Sequence, residues 1–144
     1  MKVAEIKISY SSNYDDVVKI TKSQDAYDLV MEYWNLDNIE LLEEVKLILL
    51  NRANRVLGIH KLSKGGVSQS IVDIKLILSI ALKCNATSII LVHNHPSGNL
   101  KYSKSDKNIT SKLKDACRIV DLVLFDHLIV TNSGYYSFAD KEGM

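Results

Sequence analysis

Between Val3 and Tyr10 apolar and polar residues alternate: Ala4, Ile6, Ile8 and Tyr10 fall on one side of an extended chain, Glu5, Lys7 and Ser9 on the other. A period of two marks a half-buried strand, so the spacing predicts one there. The period then changes. From Asp25 to Trp34, the residues Tyr27, Val30, Met31 and Trp34 recur at helical spacing, with Ser23 available as N-cap. Glu43 to Leu50 reads as a strand, and Asn51-Arg52-Ala53-Asn54-Arg55 as the turn of a hairpin into a second strand, Val56 to Leu62. Gly65-Gly66 marks a further turn. Val72 to Lys83 is apolar almost all round, which predicts a buried helix. Ser88 to Val92 is a short apolar run, as expected of a central strand covered on both faces. Asp106 to Val120 is amphipathic, with Ile109, Leu113, Ala116 or Cys117, and Val120 along one stripe. Leu122 to Val130 and Tyr135 to Phe138 read as closing strands on either side of a turn. Strands and helices interleave, so the expected class is α/β, a mixed β-sheet flanked by helices.

Composition narrows the function. A chain of 144 residues is read as one domain, residues 1–144, long enough to bury a core without staples. Its 18 basic and 17 acidic residues leave a net charge of +1, which is not the footprint of a nucleic-acid binder. Lys101, Lys104, Lys107, Lys112 and Lys114 read as a solvated helix face. Cys84 and Cys117 form neither a C-x-x-C pair nor a disulfide framework, and are expected to be small core residues. The N-terminus lacks the charged and apolar regions of a signal peptide, and no apolar run is long enough to cross a bilayer. A soluble, cytoplasmic protein is expected.

The chemistry is concentrated in His93-Asn94-His95-Pro96-Ser97-Gly98, followed by Ser103 and Asp106. In an extended segment His93 and His95 project to one side and Asn94 to the other. Pro96 ends the strand by removing a backbone donor, and Gly98 permits a sharp turn. The chain then curls back, so that Asp106 at the start of the next helix faces the histidines. Two imidazoles and a carboxylate make three ligands for one divalent ion, with the fourth position left to water. That is the pattern of catalytic rather than structural zinc. Ser103-x-x-Asp106 is equally a capping-box pattern, so Asp106 has two readings. Asp126-His127 is a second candidate pair, although a histidine inside a strand is more often a satisfied, partly buried residue.

This constellation resembles the JAMM motif of the JAB/MPN metalloproteins. It is most similar to the RadC-like branch, whose pattern reads H-N-H-P-S-G-x-x-x-P-S-x-x-D. Tyr102 stands where that branch has proline. The resemblance extends to Asn51–Arg55, to Phe125-Asp126-His127-Leu128-Ile129 and to Tyr136-Ser137-Phe138-Ala139-Asp140, so it spans residues 40 to 144. It implies a cytidine deaminase-like architecture and one Zn²⁺ per chain on His93, His95 and Asp106. It further implies amide or isopeptide hydrolysis of a peptide or protein substrate, with Ser103 donating to the oxyanion. The family also implies a glutamate at the start of an early strand that acts through the attacking water. Glu43 and Glu44 both stand there. Glu43 shares a face with Val45, Leu47 and Leu49, the face expected to be better buried. A carboxylate at the rim of an apolar face needs a task or a partner, so Glu43 is preferred and Glu44 kept as the alternative. Longer RadC-like proteins carry an N-terminal helical module similar to helix-hairpin-helix DNA binders, for which this chain has no room. A stand-alone domain is therefore expected.

Other readings compete. The contiguous H-N-H is not the dispersed triad of the nucleases named for those letters. A zinc deaminase would need H-x-E with P-C-x-x-C, and neither occurs. A DNA-associated role, to which the RadC name is historically tied, and a non-catalytic MPN-type interaction module stay open. The edges at Val3 to Tyr10 or Tyr135 to Phe138 would allow copies to pair as a homo-oligomer.

Overall fold

Hydrophobic alternation divides this chain between two cores, one on each face of a sheet. In the computed structural model, which describes residues 2–12, 17–64 and 72–144, that sheet has five strands. They are β1 (Glu44–Leu50), β2 (Val56–Lys64), β3 (Ser88–Asn94), β4 (Val123–Thr131) and β5 (Gly134–Ser137), in the spatial order β2-β1-β3-β4-β5. β3 and β4 run parallel and every other neighbouring pair is antiparallel, so the sheet is mixed. Ile48 and Leu50 of β1, Ile90 and Val92 of β3, and Leu128 and Val130 of β4 face one way. There they meet Ala26, Leu29 and Val30 of helix α1 (Ser23–Glu32), together with Trp34 and Ile39. Val45, Leu47, Leu49, Ile89 and Leu91 face the other way. They meet Ile77 and Ala81 of α2 (Ile74–Lys83) and Leu113 and Cys117 of α3 (Lys104–Ile119). Each such large side chain contributes about 1.5–3 kcal/mol by leaving water.

The α/β class and the mixed, helix-flanked sheet are as the pattern predicts, and β3 is central and buried throughout. Three expectations need correction. Residues 2–12 form no strand, and Val3, Ile6 and Ile8 are 86%, 86% and 71% exposed. Helix α2 buries only one stripe; Leu76 and Leu82 face solvent. The last strand stops at Ser137, whose side chain accepts from the Asp140 N–H and starts a short helix α4 (Phe138–Glu142). Smaller shifts occur at helix starts. Lys22, not Ser23, is the N-cap of α1, and its N–H donates to Asp25. Asp73 caps α2, its carboxylate accepting from the Leu76 N–H. The predicted Gly65-Gly66 turn lies outside the described residues.

What positions the site is the crossover from β3 through α3 to β4. Two parallel strands need such a connection, and its helix begins where β3 ends. The opening turn of α3 therefore returns over the tips of β3 and β4.

Candidate metal centre

His93 lies at the end of β3, opposite Val45 of β1 and Ile129 of β4. His95 is just past the strand, yet its N–H still donates to the Val130 carbonyl. The extended geometry thus persists, and both imidazoles project to the α3 side, their ring centres 4.9 Å apart. After Pro96 the chain reverses: Gly98, at φ 79°, donates its N–H back to the His95 carbonyl. Few residues but glycine adopt that conformation without strain. The reversal brings the Asn99 carbonyl to 2.7 Å from His95 Nδ1. A carbonyl only accepts, so Nδ1 carries a proton, and in the neutral ring Nε2 keeps its lone pair.

Asp106 comes from the first turn of α3. Its Oδ1 is 3.2 Å from His93 Nε2, and its Oδ2 is 3.2 Å from His95 Nε2. The two Nε2 atoms are themselves 3.0 Å apart. One ligand atom from each of the three residues lies within 4.8 Å of the others, so a single metal ion can be held among them. The two readings of Asp106 turn out to be compatible. The capping box is formed: the Ser103 N–H donates to Asp106 Oδ2 at 2.7 Å, and Ser103 Oγ accepts from the Asp106 N–H at 3.0 Å. The cap uses Oδ2, which also lies beside His95, and leaves Oδ1, beside His93, without a backbone donor from the cap.

Electrostatics agree with a site for a cation. Burial pushes the Asp106 carboxyl up. The neighbouring His93 and His95 imidazoles, with the Ser103 N–H, outweigh that and hold it well below the usual carboxylate range. The Asp106 carboxylate raises His95 above its ordinary value against the opposing effect of burial, with a smaller contribution from the charge of Glu43. A proton on His95 thus plays in the metal-free protein the part a divalent ion would take over.

The two candidate glutamates part company. Counting outward from the Val45–His93 pair, Glu43 falls opposite His95, on the side where the ligands converge. Glu44 points to the other face, 4% exposed, where Lys46 at 3.6 Å and Lys61 at 4.0 Å neutralise it. The expectation that Glu43 lies on the better-buried face is corrected: every position of β1 is buried, and Glu44 is more buried than Glu43. Parity and partners separate the pair, not burial.

Three further residues surround the site, and of these only His127 had a candidate role from the sequence, as half of a pair with Asp126. Asn94, fully buried between the histidines, points to the opposite face. It accepts from the Glu44 N–H at 2.7 Å and donates to the carbonyls of Ile39 and Leu42, tying the Glu43 segment to β3. His127 is 0% exposed, with Nε2 2.8 Å from His93 Nδ1 and its ring stacked on Phe138. Burial, with the neighbouring His93, pushes its pKa well below the ordinary value, so the ring is neutral. Thr110, one turn along α3 from Asp106, lies 2.5 Å from His127 Nδ1. The partner of His127 in the sequence motif has a different task. Asp126 accepts from Ser137 Oγ and from the N–H groups of His127 and Ala139, which holds β5 and α4 against β4. His60 is exposed on β2, and Cys84 and Cys117 lie among core residues, away from the ligand set.

Comparison with known proteins agrees with this geometry. The family model of the RadC-like JAB domain matches residues 20–144. A UPF0758 protein of Flavobacterium johnsoniae is 41% identical over 143 residues, covering 96% of this chain and 61% of the relative. UPF0758 proteins of Streptococcus sanguinis and Haemophilus ducreyi are 48% and 39% identical over 97 and 99 residues. These matches cover 67% and 69% of this chain and 43% and 44% of the relatives. The chain thus spans between about two fifths and three fifths of the curated relatives it matches.

Proposed function

This chain belongs to the RadC-like JAB domain family, and on that premise we propose that it is a zinc-dependent hydrolase of the JAMM type acting on peptide or isopeptide bonds. The observation that carries the proposal is the meeting of His93 Nε2, His95 Nε2 and an Asp106 carboxylate oxygen within 4.8 Å of one another. Nitrogen, nitrogen and oxygen donors with a fourth position open suit Zn²⁺ in its catalytic form. When bound, the ion lowers the pKa of water towards neutrality and polarises the scissile carbonyl.

The chain's own residues do the rest. Glu43, at the position opposite His95, takes the proton of the attacking water and later delivers it to the leaving amine. Ser103 Oγ accepts from the Asp106 N–H, so the hydroxyl proton is still available to the oxyanion of the tetrahedral intermediate. Asn94 holds the backbone next to Glu43 and keeps the base in register with the ligands. Tyr102, in contact with the rings of Tyr136 and Phe138 directly before Ser103, forms an aromatic wall against which a substrate side chain would lie.

Metal content and peptide cleavage test the proposal together. The purified chain is expected to carry one zinc per molecule and to cleave some member of a peptide or ubiquitin-type isopeptide library. The Asp106→Ala chain is expected to lose the metal. The Glu43→Gln chain is expected to keep it while the rate falls about 10²–10⁴-fold. Full zinc retention by Asp106→Ala, or undiminished cleavage by Glu43→Gln, would contradict the assignment.

A further inference from the structure

We infer that Thr110 and His127 fix which nitrogen of His93 meets the cation, through a one-way relay of hydrogen bonds anchored on the backbone of Asp106. The inference deepens the metallohydrolase reading and rests on it for its consequence, but not for its geometry.

The relay is read from its closed end. The Asp106 carbonyl can only accept, so the Thr110 hydroxyl, 2.7 Å away, donates to it. That uses the only proton Thr110 has. At 2.5 Å the contact between Thr110 Oγ1 and His127 Nδ1 must therefore be donated by the ring. An uncharged His127, as its complete burial favours, then has a bare Nε2. His93 Nδ1, 2.8 Å from that nitrogen, must supply the proton between them. With its proton on Nδ1, His93 turns the lone pair of Nε2 into the space it shares with His95 Nε2 and Asp106 Oδ1, where a cation would sit. Every donor in the series then has an acceptor, and the direction is set at the anchoring bond, because a carbonyl carries no proton to give back.

The relay begins and ends beside one residue. It is anchored on the Asp106 backbone carbonyl, and its far end, His93 Nε2, lies 3.2 Å from Asp106 Oδ1. One ligand residue therefore dictates the protonation of another across the gap between α3, β4 and β3. A ligating histidine commonly gives its second N–H to a carboxylate or carbonyl, which fixes its tautomer and orientation. Here a second histidine and a threonine carry that role to a carbonyl one turn along the helix. They are positioning residues, since neither touches the space where the ion would sit.

Removing the acceptor should reverse the relay. In Thr110→Val the His127 Nδ1–H loses its partner, so the ring is expected to move its proton to Nε2. That proton then faces His93 Nδ1 and drives the His93 proton to Nε2, where it blocks ligation. Long-range proton–nitrogen spectra of the imidazoles read this directly in the metal-free full chain, in mildly alkaline buffer. The expected wild-type result is Nδ1–H on both His93 and His127, with both swapped to Nε2–H in Thr110→Val. Competition with a chromogenic chelator is expected to show zinc binding weakened about 10–100-fold in Thr110→Val, and within about threefold of wild type in Thr110→Ser. An Nε2–H tautomer on His93 or His127 in the wild type overturns the inference even if the valine variant does not fold. A folded Thr110→Val that binds zinc like the wild type overturns it as well. A wild-type chain that takes up no zinc sinks the hydrolase reading alone, because the metal-free spectra still support or overturn the relay.

Discussion

Asp106 and His95 stabilise each other in the absence of metal, and the signs of their shifts define a pH window. The folded pKa of Asp106 is depressed, so its contribution is present above the unfolded value of about 4 and is lost as pH falls through the folded value. The folded pKa of His95 is raised, so its contribution is complete below the unfolded value of about 6.5 and is lost as pH rises through the folded value. Both are present together between about pH 4 and 6.5. A divalent ion at the proposed site would compete with the His95 proton, so metal affinity should rise as that window is left on the alkaline side. Thermal unfolding of the EDTA-treated chain is expected to show its highest Tm inside the window, and Asp106→Asn should flatten the profile there. An Asp106→Asn profile parallel to the wild type at every pH would show that the pair is not coupled. The convergence of the candidate ligands was legible because a His-x-His on extended chain must share a face, whatever surrounds it. His127 stood out only as half of a candidate pair and Thr110 not at all, because nothing local says that β4 lies beside β3 or that the fourth residue after Asp106 faces the sheet. Asn94 escaped for a related reason: its partners are backbone groups 50 to 55 residues away.

Among the elements, those that bury a face were readable and those that do not were not. β1, β3, β4 and α3 were anticipated to within two residues at either end, and each carries an apolar stripe into one of the two cores. The segment from Val3 to Tyr10 has the alternation of a strand but no neighbouring strand among the described residues. Alternation reports the faces a strand would have; the strand itself exists only where another edge supplies hydrogen bonds. In this fold the segment is tied at Tyr10, whose hydroxyl donates to the Leu57 carbonyl at 2.6 Å. Deleting residues 2–9 is therefore expected to lower Tm by less than about 3 °C. A drop of about 10 °C or more in a calorimetric scan would mean that the segment belongs to the folded core. Helix α4 was missed for the opposite reason. Its signal, Ser137-x-x-Asp140, repeats the pattern of Ser103-x-x-Asp106, but Tyr135 to Phe138 reads as continuous strand. The Ser137 cap, reinforced by the bond from its hydroxyl to Asp126, ends that strand one residue early.

At the level of the whole molecule, the sheet's antiparallel and parallel halves meet at β3, and the ligands gather at its tip. The antiparallel half brings Glu43 to that end beside His95; the parallel half brings His127 from β4 and, through the crossover helix, Asp106 and Thr110. Mixed pairing is thus what brings Glu43, the His93-His95-Asp106 cluster, His127 and Thr110 to one end of the sheet. The net charge of +1 offers no broad field for a polyanion, and among the described residues no helix is long and apolar enough to cross a membrane. The central claim is that His93, His95 and Asp106 jointly hold one catalytic ion. Zinc-edge X-ray absorption of the zinc-loaded chain tests it most directly. The expected spectrum has nitrogen and oxygen scatterers only, at about 2.0–2.2 Å, with the multiple-scattering signature of two imidazoles. A sulfur shell near about 2.3 Å, or a spectrum without imidazole, would place the zinc elsewhere and contradict the account.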